Sequence, residues 1–332
     1  MSALDKAALG LVAVIFLAFA FFHEGLSLKT DSDQYYHMAV ARRTLELGHI
    51  PKWDDWEFAP AGRPHLYPPG LHLALAVLAG RPDRLPAAFL ALQVIAYPAM
   101  LLSAWWFIRW LFGDRVGFMG LLFLSMDMAL LTLLLRVVPS GLATVLLPLV
   151  LGAFLTRRRL ATVLLLALSL YVHMGIAVLV LLGLFAFSLR HRGYLAFFAV
   201  VSAGALLLFS PWVLRLAADA SWLTAPAATV GAGDAGGWAL VRPFILGILW
   251  MQFFNPLLAP VAFWGFIRAK DPRYRALRWG IAGFVPMFFF YGGRFWMHTA
   301  PLWAAFGGAA AAPVLAKGRS LRTAVLLALC TT

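Results

Sequence analysis

Residues 29–70, KTDSDQYYHMAVARRTLELGHIPKWDDWEFAPAGRPHLYPPG, form the longest polar stretch of a chain that is otherwise mostly apolar. The stretch follows an apolar run at residues 7–22, and Asp31 and Asp33 stand at its start. Two carboxylates at that point would lie where a membrane surface meets the ends of apolar helices. We therefore expect the chemistry of this protein at the beginning of this loop.

The composition predicts an all-α integral membrane protein. Hydrophobic residues make up 63% of the 332 and charged residues only 12%. Successive apolar runs approach the length that a helix needs to cross a bilayer, and we predict one polytopic helical bundle with about ten full spans and part of an eleventh. Residues 24–84 form the predicted first external loop and residues 215–242 the second. The chain ends within a further apolar run, which suggests that a C-terminal part is missing.

The charges are distributed unequally between the two sides of this predicted topology. Sixteen of the 27 Lys and Arg residues, but only three of the 14 Asp and Glu residues, fall on one side. The positive-inside bias makes that side, and with it the N-terminus, cytoplasmic, and places the loops rich in acid outside a plasma or inner membrane. The net charge of +13 therefore requires no nucleic acid as a partner.

Two segments have specific predicted topologies. Residues 160–189 carry no charge apart from His173, and basic clusters flank both ends, which predicts a hairpin of two short helices with His173 near the external tip. Residues 116–135 are predicted to be one outgoing span that Arg136 ends. Asp127 lies in the middle of that span, and its protonation, its pairing with a neighbouring hydroxyl or basic group, and a function all remain open.

The first external loop is predicted to contain two amphipathic helices. The helix after Asp33 should be capped by an Asp or Ser and should place Tyr36, Val40 and Leu47 on one face. Residues 71–80 are too short to span the bilayer and are predicted to form a second surface or re-entrant helix.

The motifs of this loop resemble those of a known family. Asp-Gln-Tyr-Tyr-His at residues 33–37, Ile-Pro-Lys-Trp-Asp at 50–54 and Tyr-Pro-Pro-Gly at 67–70 resemble the first external loop of GT-C membrane glycosyltransferases. The similarity is closest to the catalytic subunit of archaeal and bacterial oligosaccharyltransferases. It implies that Asp33 is catalytic and helps to bind a divalent cation such as Mg²⁺ or Mn²⁺. It also implies a polyprenyl-phosphate-linked sugar donor whose phosphate is held at external helix ends.

The sequence departs from that family at two motifs. The second Asp-x-Asp motif is replaced by Arg-Val-Val-Pro-Ser-Gly at residues 136–141, and no Trp-Trp-Asp-Tyr-Gly motif follows, since Trp105 and Trp106 precede Phe107. We therefore expect weak metal dependence. A GT-C enzyme that uses a lipid-monophosphate sugar and an aspartate base without metal fits the sequence as well.

Asp33 has two interpretations. It is a helix cap at the membrane surface, or it is the general base that takes the proton of an acceptor hydroxyl while the lipid phosphate leaves. We favour the base, with Asp31 as the cap or a helper. His37, four residues on, shares the helical face of Asp33 and is a solvated surface residue, a metal ligand or a contact of the acceptor.

Four further residues are candidates for binding the donor. Arg136 and Arg294 each end an outgoing helix, and they either reach to lipid head groups or clamp the donor phosphate. Arg294 is the stronger candidate because residues 279–293 give roughly 22 Å of helix against a ~30 Å slab. His173 and His298 are either loop histidines or neighbours of the phosphate.

The sequence thus predicts an integral-membrane glycosyltransferase that moves a sugar from its lipid-linked donor to a protein, lipid or glycan acceptor at the external face of the bilayer. The alternative is a lipid or lipid-sugar transporter or flippase without transferase chemistry. A structural subunit is the third possibility, and the Asp33 motif argues against it.

Overall fold

The structure is a computed structural model that describes residues 1–22, 33–57, 59–222, 259–286 and 297–316. The predicted site residues Asp31 and Arg294 lie outside the described residues, as does most of the predicted second external loop.

The described chain is almost entirely helical, as the composition predicts. Its helices are α1 (Ala3–Phe21), α2 (Asp33–Leu47), α3 (Gly70–Ala79), α4 (Leu85–Phe112), α5 (Asp114–Ser125), α6 (Met128–Leu135), α7 (Pro139–Leu155), α8 (Arg159–Val172), α9 (Met174–Arg190), α10 (Leu195–Ala218), α11 (Ala259–Arg268), α12 (Tyr274–Ala282) and α13 (Ala300–Ala316). Two 3-10 turns, Pro82–Arg84 and Arg192–Tyr194, lead into α4 and α10. One two-stranded antiparallel ribbon interrupts the first loop, with β1 (Trp53–Asp54) paired to β2 (Arg63–Pro64).

Three of the described helices are long and apolar enough to cross a membrane by themselves. They are α1, α4 with its preceding 3-10 turn, and α10 with its preceding 3-10 turn. The α5–α6 pair is a fourth candidate if it counts as one bent span. These helices are compatible with an all-α membrane protein, while the predicted total of spans stays a prediction.

The helices pack around one large apolar core. α4 lies against α1, α5 and α7, and α13 packs on α5 and α11. α8 lies against α7 and α10, and α9 lies against α12. An ion pair at the start of α1 joins it to α4, where Arg109 Nη2 lies 2.7 Å from Asp5 Oδ2. This core leaves α2, the ribbon and α3 as a separate layer at one end of the bundle.

The prediction of one helix over residues 116–135 is wrong. α5 ends at Ser125, α6 begins at Met128, and the two are bent by 68°. Asp127 is buried at the break and caps α6, accepting a 2.9 Å hydrogen bond from the Leu130 amide. The hydroxyls of Ser125 and Thr132 donate to carbonyls within their own helices, so neither of them pairs with Asp127. The local helix cap therefore outweighs the continuous apolar pattern.

The break predicted within residues 160–189 is confirmed. α8 ends at Val172, α9 begins at Met174, and His173 lies between them in an extended backbone conformation. The two helices contact each other. The side of the membrane on which His173 lies stays a prediction.

The first loop contains both predicted helices. α3 buries Leu71 and Leu75 against Ala41 of α2 and Phe89 of α4. Of the residues predicted to share one face of α2, Val40 is buried and Tyr36 is half-buried, whereas Leu47 is exposed where the helix ends. The buried face of α2 is instead largely polar, and it is formed by Gln34, His37, Val40, Ala41 and Thr44.

Candidate functional site

Asp33 is the first residue of α2, and its side chain is exposed. One helical turn later, His37 is only 3% exposed, so the expectation of a solvated surface histidine is wrong. The helix therefore presents Asp33 outward while it anchors His37 inward. The roles of Asp33 as a base and of His37 as a substrate contact stay predictions.

The inward face of α2 meets a cluster of six residues that we call the first-loop cluster. A carboxylate lies at one side of it. Asp54 Oδ2 accepts a 2.8 Å hydrogen bond from His65 Nδ1 and a 3.1 Å hydrogen bond from the Tyr36 hydroxyl. Asp54 and His65 are fully buried. The members of the cluster are Tyr36, His37, Asp54, His65, Tyr67 and His72.

A pair of histidines forms the other side of the first-loop cluster. His37 Nδ1 lies 2.9 Å from His72 Nε2, and both rings are buried. The His65 and His72 ring centres are 5.3 Å apart, and Tyr67 packs edge-on against both His37 and His72. His72 is thus surrounded by aromatic rings, two of which are themselves imidazoles.

Burial decides the protonation of two members of this cluster. Desolvation, followed by the negative charge of Asp54, raises the pKa of Tyr36 above its ordinary value, so the hydroxyl stays a hydrogen-bond donor. Desolvation, followed by the proximity of His37 and His65, holds the pKa of His72 well below its ordinary value. His72 is therefore neutral at pH 7.

The ribbon supplies Asp54 and His65 through a tight turn. Asp54 faces Arg63 across the ribbon, and the His65 amide donates to the Lys52 carbonyl, which places both side chains on one face. Gly62 has a φ of +72°, and a Cβ there would lie 2.8 Å from the Asp54 carbonyl oxygen. Only glycine is free of strain and of this clash at the position.

Close contacts fix the first loop to the helix ends beneath it. Gly70 begins α3 directly against α8, and a Cβ at Gly70 would lie 2.7 Å from the Tyr171 carbonyl oxygen. On the other side, Arg215 Nη2 of α10 donates a 2.8 Å hydrogen bond to the Pro51 carbonyl. The Trp212 ring of α10 packs 6.2 Å from the His65 ring.

Several predicted site residues lie on segments that meet around α3. Tyr171, which contacts Gly70, lies two residues before His173. Val137, directly after Arg136, packs in the same apolar cluster as α3. The structure thus gathers around α3 the segments that carry Asp33, Arg136 and His173.

The other predicted donor contacts lie in different environments. His173 caps α9, its Nδ1 accepting from the Ile176 amide at 3.1 Å, and Arg136 is exposed at the end of α6. His298 is buried, and its Nδ1 lies 2.5 Å from the Thr144 hydroxyl of α7. The contribution of these residues to phosphate binding stays a prediction.

A divalent cation has no complete site in the described part of the chain. No three His, Cys, Asp or Glu side chains of the described residues are arranged so that they hold a metal ion. In the first-loop cluster, His37 Nδ1 and His72 Nε2 face each other at hydrogen-bond distance, and they do not both face a position that an ion could occupy. We therefore derive no catalytic step through a metal.

Sequence reasoning missed Asp54, His65 and His72 as members of a common cluster. Asp54 was visible only as part of an acidic run next to tryptophans, and the two histidines lie within apolar or proline-rich surroundings. A signal did exist, because four of the eight histidines fall within the predicted first loop, at positions 37, 49, 65 and 72. Three of them, all but His49, belong to the first-loop cluster.

No protein-family model matches this sequence, and no curated protein matches it. Solved structures do match the fold. The apo oligosaccharyltransferase of Archaeoglobus fulgidus has a TM-score of 0.67 at 14% identity, over 96% of this chain and 52% of that one. Its complex with zinc and sulfate has a TM-score of 0.65 at 16% identity, over 98% of this chain and 51% of that one.

The fold of this chain is therefore similar to that of archaeal oligosaccharyltransferase, in agreement with the resemblance of the first-loop motifs. A third structure with this fold is archaeal oligosaccharyltransferase AglB from Archaeoglobus fulgidus in complex with an inhibitory peptide and a dolichol-phosphate. It has a TM-score of 0.66 at 15% identity, over 99% of this chain and 54% of that one. The chain thus spans about half the length of the solved structures that it matches.

Proposed function

We propose that this protein is an integral-membrane glycosyltransferase that moves a sugar from a polyprenyl-phosphate-linked donor to an acceptor at the external face of the membrane. The fold that nearly the whole chain shares with archaeal oligosaccharyltransferase carries this proposal. One of those proteins is described in complex with a dolichol-phosphate, which has the chemistry of the proposed donor lipid. The identity of the acceptor as protein, lipid or glycan is left to experiment.

In the proposed reaction Asp33 is the general base. Its carboxylate takes the proton of the acceptor hydroxyl or amide as the acceptor atom attacks the anomeric carbon of the sugar. The bond between that carbon and the phosphate oxygen breaks, and the lipid phosphate leaves with the electron pair. The leaving group is already a good one, so a single carboxylate suffices, in contrast to the paired carboxylates of glycoside hydrolases.

The test is turnover by the Asp33→Asn protein. The amide keeps the size of the side chain and its capping oxygen but does not accept a proton, so we expect turnover to fall by about 10²-fold or more while the donor still binds. Release of polyprenyl phosphate from labelled lipid-sugars by purified protein in detergent measures this. Turnover at the parent rate would make Asp33 a helix cap only.

We also propose that metal dependence is weak and that Asp33 faces the exterior. Removal of divalent cations with a chelator should leave most of the turnover. A complete loss of turnover that Mn²⁺ or Mg²⁺ restores would contradict weak metal dependence. For the topology, Arg158→Cys in a Cys330→Ala background should react with a thiol reagent only from the cytoplasmic side. Labelling of this cysteine from the external side would contradict the predicted orientation of the chain in the membrane.

A transporter of lipid-linked sugars is the second candidate. One observation favours it, because the α5–α6 span is broken at the buried Asp127. Broken helices with polar residues at mid-membrane are typical of transporter binding sites. The two candidates differ in their product, since a transporter moves the lipid-sugar intact and releases no polyprenyl phosphate.

A further inference from the structure

The placement of Asp33 depends on how α2 is held. The polar contacts on the inward face of the helix include the hydrogen bond from the Tyr36 hydroxyl to Asp54 and the contact between His37 and His72. His37 lies one helical turn from Asp33, so a shift of α2 away from this contact moves Asp33 with it. The contacts of the first-loop cluster are therefore also the contacts that position the proposed base.

The contact between His37 and His72 accommodates only one proton between its two nitrogens. His37 Nδ1 and His72 Nε2 are 2.9 Å apart, so one of them donates and the other accepts. If both rings carried a second proton, both facing nitrogens would be donors, and the hydrogen bond would give way to repulsion between two buried charges. The contact thus exists only while at least one ring is neutral.

The third histidine has a comparable restriction. His65 Nδ1 donates to Asp54, whereas His65 Nε2 and His72 Nδ1 are buried without a hydrogen-bond partner among the described residues. A second proton on either ring would therefore create a buried donor that nothing accepts. Asp54 offsets a positive charge on His65, but its hydrogen bonds go to His65 and Tyr36 and none goes to His72.

The charges around the first-loop cluster do not favour a protonated His72. Arg63 is paired with Glu57, and Arg215 adds a positive charge beside Asp54. The charged residues of the 3-10 turn packed against α2, Asp83 and Arg84, and Arg81 directly before it are all exposed. Titratable groups near the cluster also include Asp54, Tyr67, Tyr171 of α8 and Asp219, which directly follows α10.

We infer that the first-loop cluster is a pH-sensitive positioning device, in which protonation of His72 weakens the hold on α2 and Asp33. His72 and His37 are positioning residues in this inference, since they act on the proposed base through the helix. The expected effect on turnover rests on the proposed function of Asp33, whereas the expected undocking of α2 is independent of that function.

The sign of the effect follows from the depressed pKa of His72. The docked form binds fewer protons than the undocked form, in which the histidine returns to its ordinary pKa of about 6.5. The stabilisation of the docked α2 is therefore complete above pH ~6.5 and is lost as the pH falls below it. The loss amounts to about tenfold in the docking equilibrium for each pH unit.

Hydrogen exchange on the full-length protein tests this directly. Peptides covering residues 33–47 should lose protection about tenfold per pH unit below ~6.5, after correction for the pH dependence of chemical exchange. Peptides from the buried part of α4 should not change. In His72→Gln, whose amide can still bond His37 but does not titrate, the profile should flatten. His49→Gln, which removes an exposed histidine of the same loop, should behave like the parent.

The outcomes separate this inference from the proposed function. A flat profile in the parent protein overturns the inference without any variant, and so does a His72→Gln profile as steep as that of the parent. Turnover is the second measurement. The kcat of the parent protein should fall as the hydrogen-exchange protection of α2 falls, while KM stays constant. If protection falls and kcat does not, the device stands and the assignment of Asp33 as the base is wrong.

Discussion

The substitution Asp54→Ala gives the strongest test of how the first loop is held. It removes the carboxylate that His65 Nδ1 and the Tyr36 hydroxyl share at 2.8 and 3.1 Å, and the 3.3 Å contact between those two groups is the one that remains. A buried donor that loses its partner costs about 1–3 kcal/mol. His65 is fully buried and Tyr36 only half-buried, so we expect a total of about 2–4 kcal/mol. The undocked fraction of α2 should rise about 30- to 700-fold.

Thiol labelling measures that fraction. The chain has a single cysteine, so Ala41→Cys in a Cys330→Ala background places one thiol on the inward face of α2, where Ala41 is fully buried. Labelling then requires undocking, and its rate reports the open population. Asp54→Asn keeps an acceptor oxygen and should change the rate less than about tenfold. Replacing the exposed neighbour, Asp55→Ala, should change nothing. If Asp54→Ala labels as slowly as its parent, the cluster does not hold α2.

Three further predictions concern other parts of the chain. Gly70→Ala should lower the free energy of unfolding by about 1–3 kcal/mol, because the added Cβ would clash with the α8 backbone. The control Gly10→Ala should leave the free energy of unfolding unchanged, because a Cβ there meets nothing within 4 Å. Equal melting temperatures of the two variants would refute the close approach of α3 and α8. Asp127→Leu should lose about 0.5–2 kcal/mol of capping, and Asp127→Asn should keep most of it. Arg294→Ala should abolish the thermal stabilisation by polyprenyl phosphate, while Arg43→Ala should not; equal shifts would place the phosphate elsewhere.

The helical class and several boundaries could be predicted because they depend on local information. Apolar runs of sufficient length give α4 and α10, and the basic clusters around residues 160–189 require the break that the structure has at His173. The break at Asp127 was also predictable in principle, since an Asp with an extended backbone is a common N-cap. The uninterrupted apolar pattern concealed it.

The first-loop cluster could not be predicted, because it depends on tertiary contacts without periodicity. His37 and His72 are 35 residues apart, and Asp54 and His65 meet only because a short ribbon turns back at Gly62. The motif Asp-Gln-Tyr-Tyr-His drew attention to Asp33 as the chemical residue. In the structure, Tyr36 and His37 of that motif anchor the helix that carries it.

The hydrogen bond from Arg215 to the Pro51 carbonyl joins residues that are 164 positions apart. A ribosome that adds about 5–20 residues per second needs roughly 8–30 s to cover that distance. During synthesis, the first loop is therefore complete well before α10 exists to receive it. Throughout that interval His65 lacks the Trp212 ring against which it packs, so the nascent loop is a candidate client for chaperones and proteases.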